Sequence, residues 1–154
     1  MTNLCSKVLT ALAGRTLVTA ESLTGGGIGA ALTAVSGSSA VYKGGVISYT
    51  NQVKANILGV PASVLELHGA VSAPVAEAMA TGVRKLLDAD VAVSVTGLAG
   101  PGADAYGNPV GTVFVGYADC RRTVVKPCFF SGSREDIRRQ TIETALQLIL
   151  EQSK

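Results

Sequence analysis

The hydrophobic positions of this chain follow two spacings that alternate along its length. Apolar residues three and four positions apart, such as Val75, Met79 and Val83, are typical of an amphipathic helix. Short apolar and β-branched runs, such as DVAVSVTG at 90–97, indicate buried strands. The pattern predicts helices at 3–13, from the glycine run to about 35, at 51–59, 61–68, about 72–87 and from 133, and strands at 15–20, 44–50, 90–97, 111–120 and 121–130.

Several of these helices have recognisable ends. Asn51, Ser72 and Ser133 are predicted N-caps, since short polar side chains accept the first free backbone N–H groups of a helix. The single histidine, His68, precedes Gly69 and fits a cation at a helix C-terminus better than a member of a catalytic triad.

The order of the elements predicts the fold class. Strands alternate with helices as far as residue 97, which is typical of parallel strands joined by helical crossovers. A hairpin at about 119–122 then adds antiparallel pairing. We predict an α/β fold, a three-layer α/β/α sandwich with a mixed, mainly parallel sheet of about five strands. No repeat or linker divides the chain, so residues 1–154 are expected to form one domain.

Composition and charge indicate which classes of ligand or partner the protein is not expected to bind. Hydrophobic residues make up 47% of the chain, the net charge is +2 and the basic residues form no run, so neither nucleic-acid binding nor a DNA-processing role is indicated. No segment approaches the roughly 20 apolar residues of a membrane span. Cys5, Cys120 and Cys128 fit no disulfide or zinc pattern, so we expect buried thiols and a cytoplasmic location. Scattered acidic residues predict no metal site.

The segment TAESLTGGGIGAAL at 19–32 joins a strand to a helix through three glycines. It lacks the G-x-x-x-x-G-K-[ST] and G-x-G-x-x-G orders of nucleotide-binding loops. Its backbone amides at 24–27 could still bind an anion at the start of a helix. Ser22 stands at the turn, where its hydroxyl is either an N-cap or a nucleophile placed beside free N–H groups.

A serine nucleophile needs a base, and His68 lies in no supporting motif. A lysine can act as the base when burial lowers its pKa well below about 10.4. Lys43 and Lys54 flank the strand predicted at 44–50, and Lys54 can point to the sheet edge that follows Ser22. Tyr49, near the end of that strand, could relay a proton or orient the lysine. Each of these residues alone is more often an ordinary surface or packing residue.

Six segments taken together resemble one known family. They are TAESLTGGGIGAALT, GSSAVYKGGVISYTNQVKANILGV, HGAVSAPVAEAMATGV, VSVTGLAGPG, NPVGTVFVGYA and FSGSREDIRRQTIETAL, in that order over about residues 16–148. This order resembles the C-terminal domain of the CinA (competence/damage-inducible protein A) family. The resemblance implies a nicotinamide-nucleotide amidohydrolase that converts nicotinamide mononucleotide (NMN) to nicotinic acid mononucleotide and ammonia, with no metal and no cofactor.

The resemblance also implies roles for individual residues. The catalytic group would be Ser22 of TAES with Lys54 and Tyr49 of YTNQVK, and amides near Thr24 and Gly25 would hold the oxyanion. A homo-oligomer is a further expectation. The candidate substrate-binding residues are Glu21, Thr24, Gly25, Gly26, Thr96, Gly97, Gly100, Arg134 and Arg138.

Three positions depart from the family pattern. Leu23 replaces a usual cysteine, Gln52 a usual glutamate, and Ser133 an acidic residue. These replacements bear on the efficiency or the substrate preference of the expected enzyme more than on the type of reaction.

The alternative functions are a Ser-Lys amidase for another small amide and a non-catalytic nucleotide-binding module.

Overall fold

The computed structural model describes all 154 residues, which form six α-helices, five strands and one 3₁₀ turn. In chain order they are α1 (Thr2–Ala11), β1 (Leu17–Glu21), α2 (Gly27–Thr33), the 3₁₀ turn (Ser38–Ala40), β2 (Tyr42–Ile47), α3 (Asn51–Asn56), α4 (Ala62–His68), α5 (Ala73–Leu86), β3 (Val91–Gly97), β4 (Thr112–Ala118), β5 (Thr123–Phe129) and α6 (Arg134–Gln152).

The strands form a single sheet in the order β2-β1-β3-β4-β5. β1 pairs in parallel with both β2 and β3, while β4 and β5 continue the sheet antiparallel. Glu21 at the end of β1 lies opposite Ile47 of β2 and Val95 of β3. The carboxyl ends of three parallel strands therefore meet at one edge, the usual place for a ligand site in such a sheet.

Two hydrophobic cores cover the two faces of the sheet. The larger packs buried residues of α1, α2 and α6, such as Val8, Ile28 and Ile149, against one face. The smaller packs Leu65 of α4 and Met79 of α5 against the other. Neighbouring β1 residues belong to different cores because side chains alternate along a strand. The predicted α/β/α sandwich with a mixed five-stranded sheet is confirmed.

Two predicted helix caps are confirmed. The hydroxyl of Ser72 accepts the Val75 N–H at 3.4 Å, and Pro74 lies within the first two residues of α5. Ser133 and Asp136 form a reciprocal capping box at the start of α6.

The segment after β2 differs from its prediction. β2 spans Tyr42–Ile47 rather than 44–50, so Tyr49 lies in a loop. Ser48 extends the pairing by one N–H to the Glu21 carbonyl, after which the chain turns into α3. Thr50, not Asn51, is the N-cap, because its hydroxyl accepts the Val53 N–H.

The cysteine prediction was correct for two residues and wrong for one. Cys5 and Cys128 are buried thiols, whereas Cys120 is exposed in the turn that joins β4 to β5, outside both hydrophobic cores.

None of the helices combines the length and the apolar character that crossing a bilayer demands.

Candidate active site at the carboxyl edge of the sheet

Ser22 is the first residue beyond β1 and begins a tight turn. Its N–H donates to the Val95 carbonyl, and its own carbonyl accepts the Gly25 N–H at 3.1 Å. Gly25 and Gly26 both have positive φ, of 58° and 102°, a conformation that glycine adopts without strain. The turn fixes Ser22 at the sheet edge, with its side chain largely buried.

Lys54 on α3 extends to this serine. Its Nζ lies 3.0 Å from the Ser22 Oγ, 2.7 Å from the Ser48 carbonyl and 3.3 Å from the Tyr49 carbonyl. The lysine is 1% exposed, so a flexible and normally solvated side chain is enclosed in the protein. This pair joins two residues that are 32 positions apart in the chain.

The Lys54 ammonium has no carboxylate partner. The ion pairs of the protein are those of Arg139 with Asp136 and Glu143 on α6. Burial disfavours the charged form and lowers the pKa of Lys54 from 10.5 to about 8. A neutral amine has two N–H donors and one lone pair. Two carbonyls and one hydroxyl match that set, since the Ser22 hydroxyl can donate to the lone pair.

Ser22 and Lys54 open onto a cavity of about 390 Å³. Loops after β1, β2 and β3 form its walls together with the segment between α4 and α5. The lining residues are Ser22, Tyr49, Asn51, Lys54, Ala70, Val71, Thr96, Gly97, Leu98, Asp104, Ala105 and Tyr106. The volume is in the range of pockets for small organic ligands.

Glu21 was predicted to bind substrate, but its side chain points into the protein. It is 2% exposed, and its carboxylate accepts the Thr24 hydroxyl at 2.6 Å and the N–H groups of Ile28 and Gly29. It therefore neutralises the N-terminus of α2, where a negative charge is favourable. The helix has no free amides there for a substrate anion, so Glu21 is a structural residue of the turn.

The backbone N–H groups of the glycine turn that are free to donate also differ from those predicted, which were near Thr24 and Gly25. The N–H groups of Gly25 and Gly27 donate to the carbonyls of Ser22 and Thr24. The N–H groups of Leu23, Thr24 and Gly26 have no acceptor within the protein. Of the N–H groups that follow Ser22 directly in the chain, those of Leu23 and Thr24 are therefore free to donate, whereas that of Gly25 is not.

Removing the Glu21 carboxylate is expected to destabilise the fold. Glu21→Ala should lower the free energy of unfolding by about 3 kcal/mol, because it strands the buried N–H of Ile28, the half-buried N–H of Gly29 and the buried hydroxyl of Thr24. Glu21→Gln keeps one acceptor oxygen and should lose less. Urea denaturation measures both variants, and an alanine variant as stable as wild type would contradict this role.

The same arrangement of elements occurs in known proteins. The family model of the CinA C-terminal domain matches residues 1–153. The chain belongs to this family. A CinA-like protein of Mycolicibacterium gilvum is 46% identical over 144 residues, which are 93% of this chain and 34% of that protein. The chain thus spans about a quarter to a third of the length of the curated CinA-like proteins it matches.

Solved structures of CinA superfamily proteins superpose on almost the whole chain. One from Klebsiella pneumoniae is 34% identical with a TM-score of 0.96, over 99% of this chain and 96% of that one. Another, from Escherichia coli, is 35% identical with a TM-score of 0.94, over 97% and 89% of the two chains. The fold of this CinA domain is therefore that of its relatives.

The two arginines of α6 have different positions in this CinA domain. Arg138 donates from Nε to the Leu23 carbonyl at 2.9 Å and from Nη2 to the Thr24 carbonyl, so it braces the turn that follows the serine. Arg134 is exposed and donates to the Gly100 carbonyl and the Tyr49 hydroxyl. Arg134 is thus the one at the cavity rim.

The predicted tyrosine also contacts the lysine differently. Tyr49 lines the cavity and is 60% exposed, and its hydroxyl accepts from Arg134 at 3.3 Å. Only its backbone carbonyl contacts Lys54, so the phenol is not placed to relay the lysine proton in this state.

The residues that follow β3 line the cavity in part. Thr96 and Gly97 contribute to its wall, and the Thr96 hydroxyl donates to the Ala70 carbonyl at 2.8 Å. Gly100 lies outside the lining, and its contact with the site is the carbonyl that accepts from Arg134.

The three departures from the family pattern have simple surroundings. Leu23 is buried in the larger core rather than turned to the cavity. Gln52 is exposed and forms no hydrogen bond with Lys54, and Ser133 caps α6. None of the three lines the cavity.

Sequence reasoning missed part of the cavity wall. Asn51, Asp104 and Tyr106 all line it, and the last two lie in the long Gly/Pro loop. That loop carries no periodic pattern, and only the spacing of Asp104 from Asn108 indicates a local turn.

The protein has no group of three or more His, Cys, Asp or Glu side chains able to hold a metal ion.

Proposed function

We propose that this CinA domain hydrolyses the carboxamide of NMN to nicotinic acid mononucleotide and ammonia, through an acyl-enzyme on Ser22. The observation that supports this proposal most is the Lys54 Nζ, enclosed without a counter-charge 3.0 Å from the Ser22 Oγ. A buried lysine of lowered pKa beside a hydroxyl is the pairing that an activated nucleophile needs.

Acylation follows from the hydrogen bonds of the neutral amine. Lys54 takes the Ser22 proton onto its lone pair as Oγ attacks the amide carbon. The Ser48 and Tyr49 carbonyls hold the other two N–H groups and stabilise the ammonium that forms. Lys54 then returns the proton to the departing nitrogen, which leaves as ammonia, and an ester with Ser22 remains.

Deacylation repeats these steps with water. Neutral Lys54 takes a proton from a water that attacks the ester carbon, and then protonates Ser22 as the acid is released. In both halves the oxyanion needs donors. We assign to it the unpaired N–H groups of Leu23 and Thr24, which follow Ser22 directly, in place of the Gly25 amide, although neither residue lines the cavity in this state.

The cavity rim offers a contact for the nucleotide phosphate. Arg134 is exposed and is held beside the cavity by Tyr49 and Gly100. Its guanidinium has five N–H donors, two of which serve these contacts, so others remain for a phosphate. Arg138 is committed to the turn and is assigned a positioning role.

The proposal is tested by ammonia release from a panel of carboxamides. NMN should be turned over with a higher kcat/KM than nicotinamide riboside, nicotinamide or NAD, because these lack the terminal phosphate or differ in size. Hydrolysis of another carboxamide in preference to NMN would support a different Ser-Lys amidase. Tight NMN binding without ammonia release would support a non-catalytic nucleotide-binding module, and either result contradicts the proposal.

The pH dependence of the rate should follow Lys54. The reaction requires the neutral amine, so kcat/KM for NMN should rise with pH to a plateau with a midpoint near 8. The direction follows from the role of the lysine as a base, since protonation below the pKa removes the lone pair. Initial rates between pH 6.5 and 9.5 measure the profile, and a rate that falls over this range would exclude a lysine base.

A further inference from the structure

The cavity lining contains two ionisable side chains of opposite type, one acidic and one basic. Of its lining side chains, Asp104 is the only acidic one and Lys54 the only basic one. Tyr49 and Tyr106 add two aromatic side chains, each more than half exposed. In the form with neutral Lys54 that the proposed reaction requires, the lining has one negative charge and two aromatic side chains, a combination that favours a flat cation.

The carboxylate of Asp104 is fixed in place by its own loop. Oδ1 accepts the N–H groups of Tyr106 and Asn108 at 3.0 Å, and Oδ2 accepts the Asn108 side-chain amide at 2.7 Å. The Tyr106 hydroxyl and the Asn108 amide then anchor the loop to the carbonyls of Glu66 and Val71. The charge therefore stands at a defined position on the wall.

This charge has no partner in the protein. No lysine, arginine or histidine forms an ion pair with Asp104. Burial opposes ionisation of its carboxyl, but the hydrogen bonds from Asn108 and Tyr106 outweigh that effect and lower its pKa, so the group is charged at neutral pH. A cation in the cavity would supply the missing counter-charge.

We propose that Asp104 determines specificity by selecting ligands whose carboxamide ring is positively charged, such as a pyridinium, over neutral rings of the same shape. This inference rests on the proposed function and adds the charge of the ring to it. It assigns to Asp104 an electrostatic contact with the ring rather than a step in the reaction.

The test compares two nucleotides that differ in ring charge. NMN has a pyridinium ring, and its dihydro form has a neutral ring with the same carboxamide, ribose and phosphate. Binding is measured by calorimetry with Ser22→Ala protein, so that turnover does not intervene. Asp104→Asn removes the charge, while its side-chain oxygen can still accept the Tyr106 and Asn108 N–H groups.

We expect Asp104→Asn to weaken NMN binding about ten-fold or more and to change binding of the dihydro form less than about two-fold. Glu77→Gln, the same charge change on the exposed face of α5, is the matched control and should alter neither. Equal weakening of both nucleotides would assign Asp104 to loop structure alone and overturn the inference.

The outcomes for the inference and for the proposed function are separable. Wild-type protein that releases no ammonia but binds NMN in preference to the dihydro form, with that preference lost in Asp104→Asn, would contradict the hydrolase and leave the role of Asp104 supported. Wild-type protein that binds both forms equally, or neither, would overturn the inference whatever its activity.

Discussion

Ser22→Ala is expected to reduce ammonia release from NMN by about a thousand-fold or more, with little change in stability. The substitution removes the only hydroxyl within 3.0 Å of the Lys54 Nζ. The amine keeps its two carbonyl partners, so no buried donor is stranded. Ser22 has no positive φ, and alanine adopts the same backbone without strain.

The measurement is kcat/KM at pH 8.5 together with urea denaturation of both proteins. Ser38→Ala is the matched control, because Ser38 is similarly buried, at 8% against 7% exposure, but lies in the 3₁₀ turn away from the cavity. It should keep wild-type activity. Activity above about a tenth of wild type in Ser22→Ala would favour direct attack by water and end the acyl-enzyme mechanism.

An acyl-enzyme can also be sought directly. Rapid quenching of wild-type protein with NMN should add the mass of the nicotinate nucleotide acyl group to the peptide that contains Ser22. The same peptide of the alanine variant should remain unmodified. Modification of a different residue would assign the nucleophile elsewhere.

The architecture could be predicted because its signals are local. The β3 run is mostly apolar and is buried on both faces, as a central strand requires, and Ser72 and Ser133 occur where their helices begin. The end of β2 was misjudged because the residues after Ile47 continue the strand-like pattern, whereas the ladder with β1 stops at Ile47. Thr50 and Asn51 are both good caps, and the Val53 N–H donates to Thr50.

The contact between Ser22 and Lys54 was predictable only in part. The glycine turn indicated Ser22, and the family resemblance selected Lys54, but their separation depends on the register of β1 with β2. Glu21 was predicted to bind substrate from the family resemblance. Its carboxylate instead accepts the N–H groups of Ile28 and Gly29 at the start of α2, a three-dimensional contact that hydrophobic periodicity does not encode. Asp104 was missed for the same reason, since its loop is positioned by tertiary anchors.

The second large effect is expected for Lys54→Met, which preserves apolar volume and removes the base. We expect a loss in kcat/KM of about a thousand-fold or more, since the Ser22 hydroxyl then has no acceptor for its proton. Loss of activity alone would also follow from a disturbed fold. The stability of the variant as a function of pH separates these two causes.

The difference in stability between wild type and Lys54→Met should change with pH in one direction. The pKa of Lys54 is about 8 in the folded protein and near 10.5 when unfolded, so the unfolded chain binds more protons between these values. Wild type should therefore gain stability relative to Lys54→Met as pH rises, by roughly 2 to 3 kcal/mol between pH 7 and 10. Groups common to both proteins cancel in this difference.

Denaturant unfolding of both proteins at several pH values measures the change. Lys85→Met provides the control, because Lys85 is exposed on α5 and its stability difference from wild type should stay constant over the same range. A constant difference for Lys54→Met as well would mean that the buried amine is fully protonated in the folded state up to pH 10. It would then have no lone pair for Ser22 at neutral pH, and the Ser-Lys mechanism would fail on that ground even if the variant were inactive.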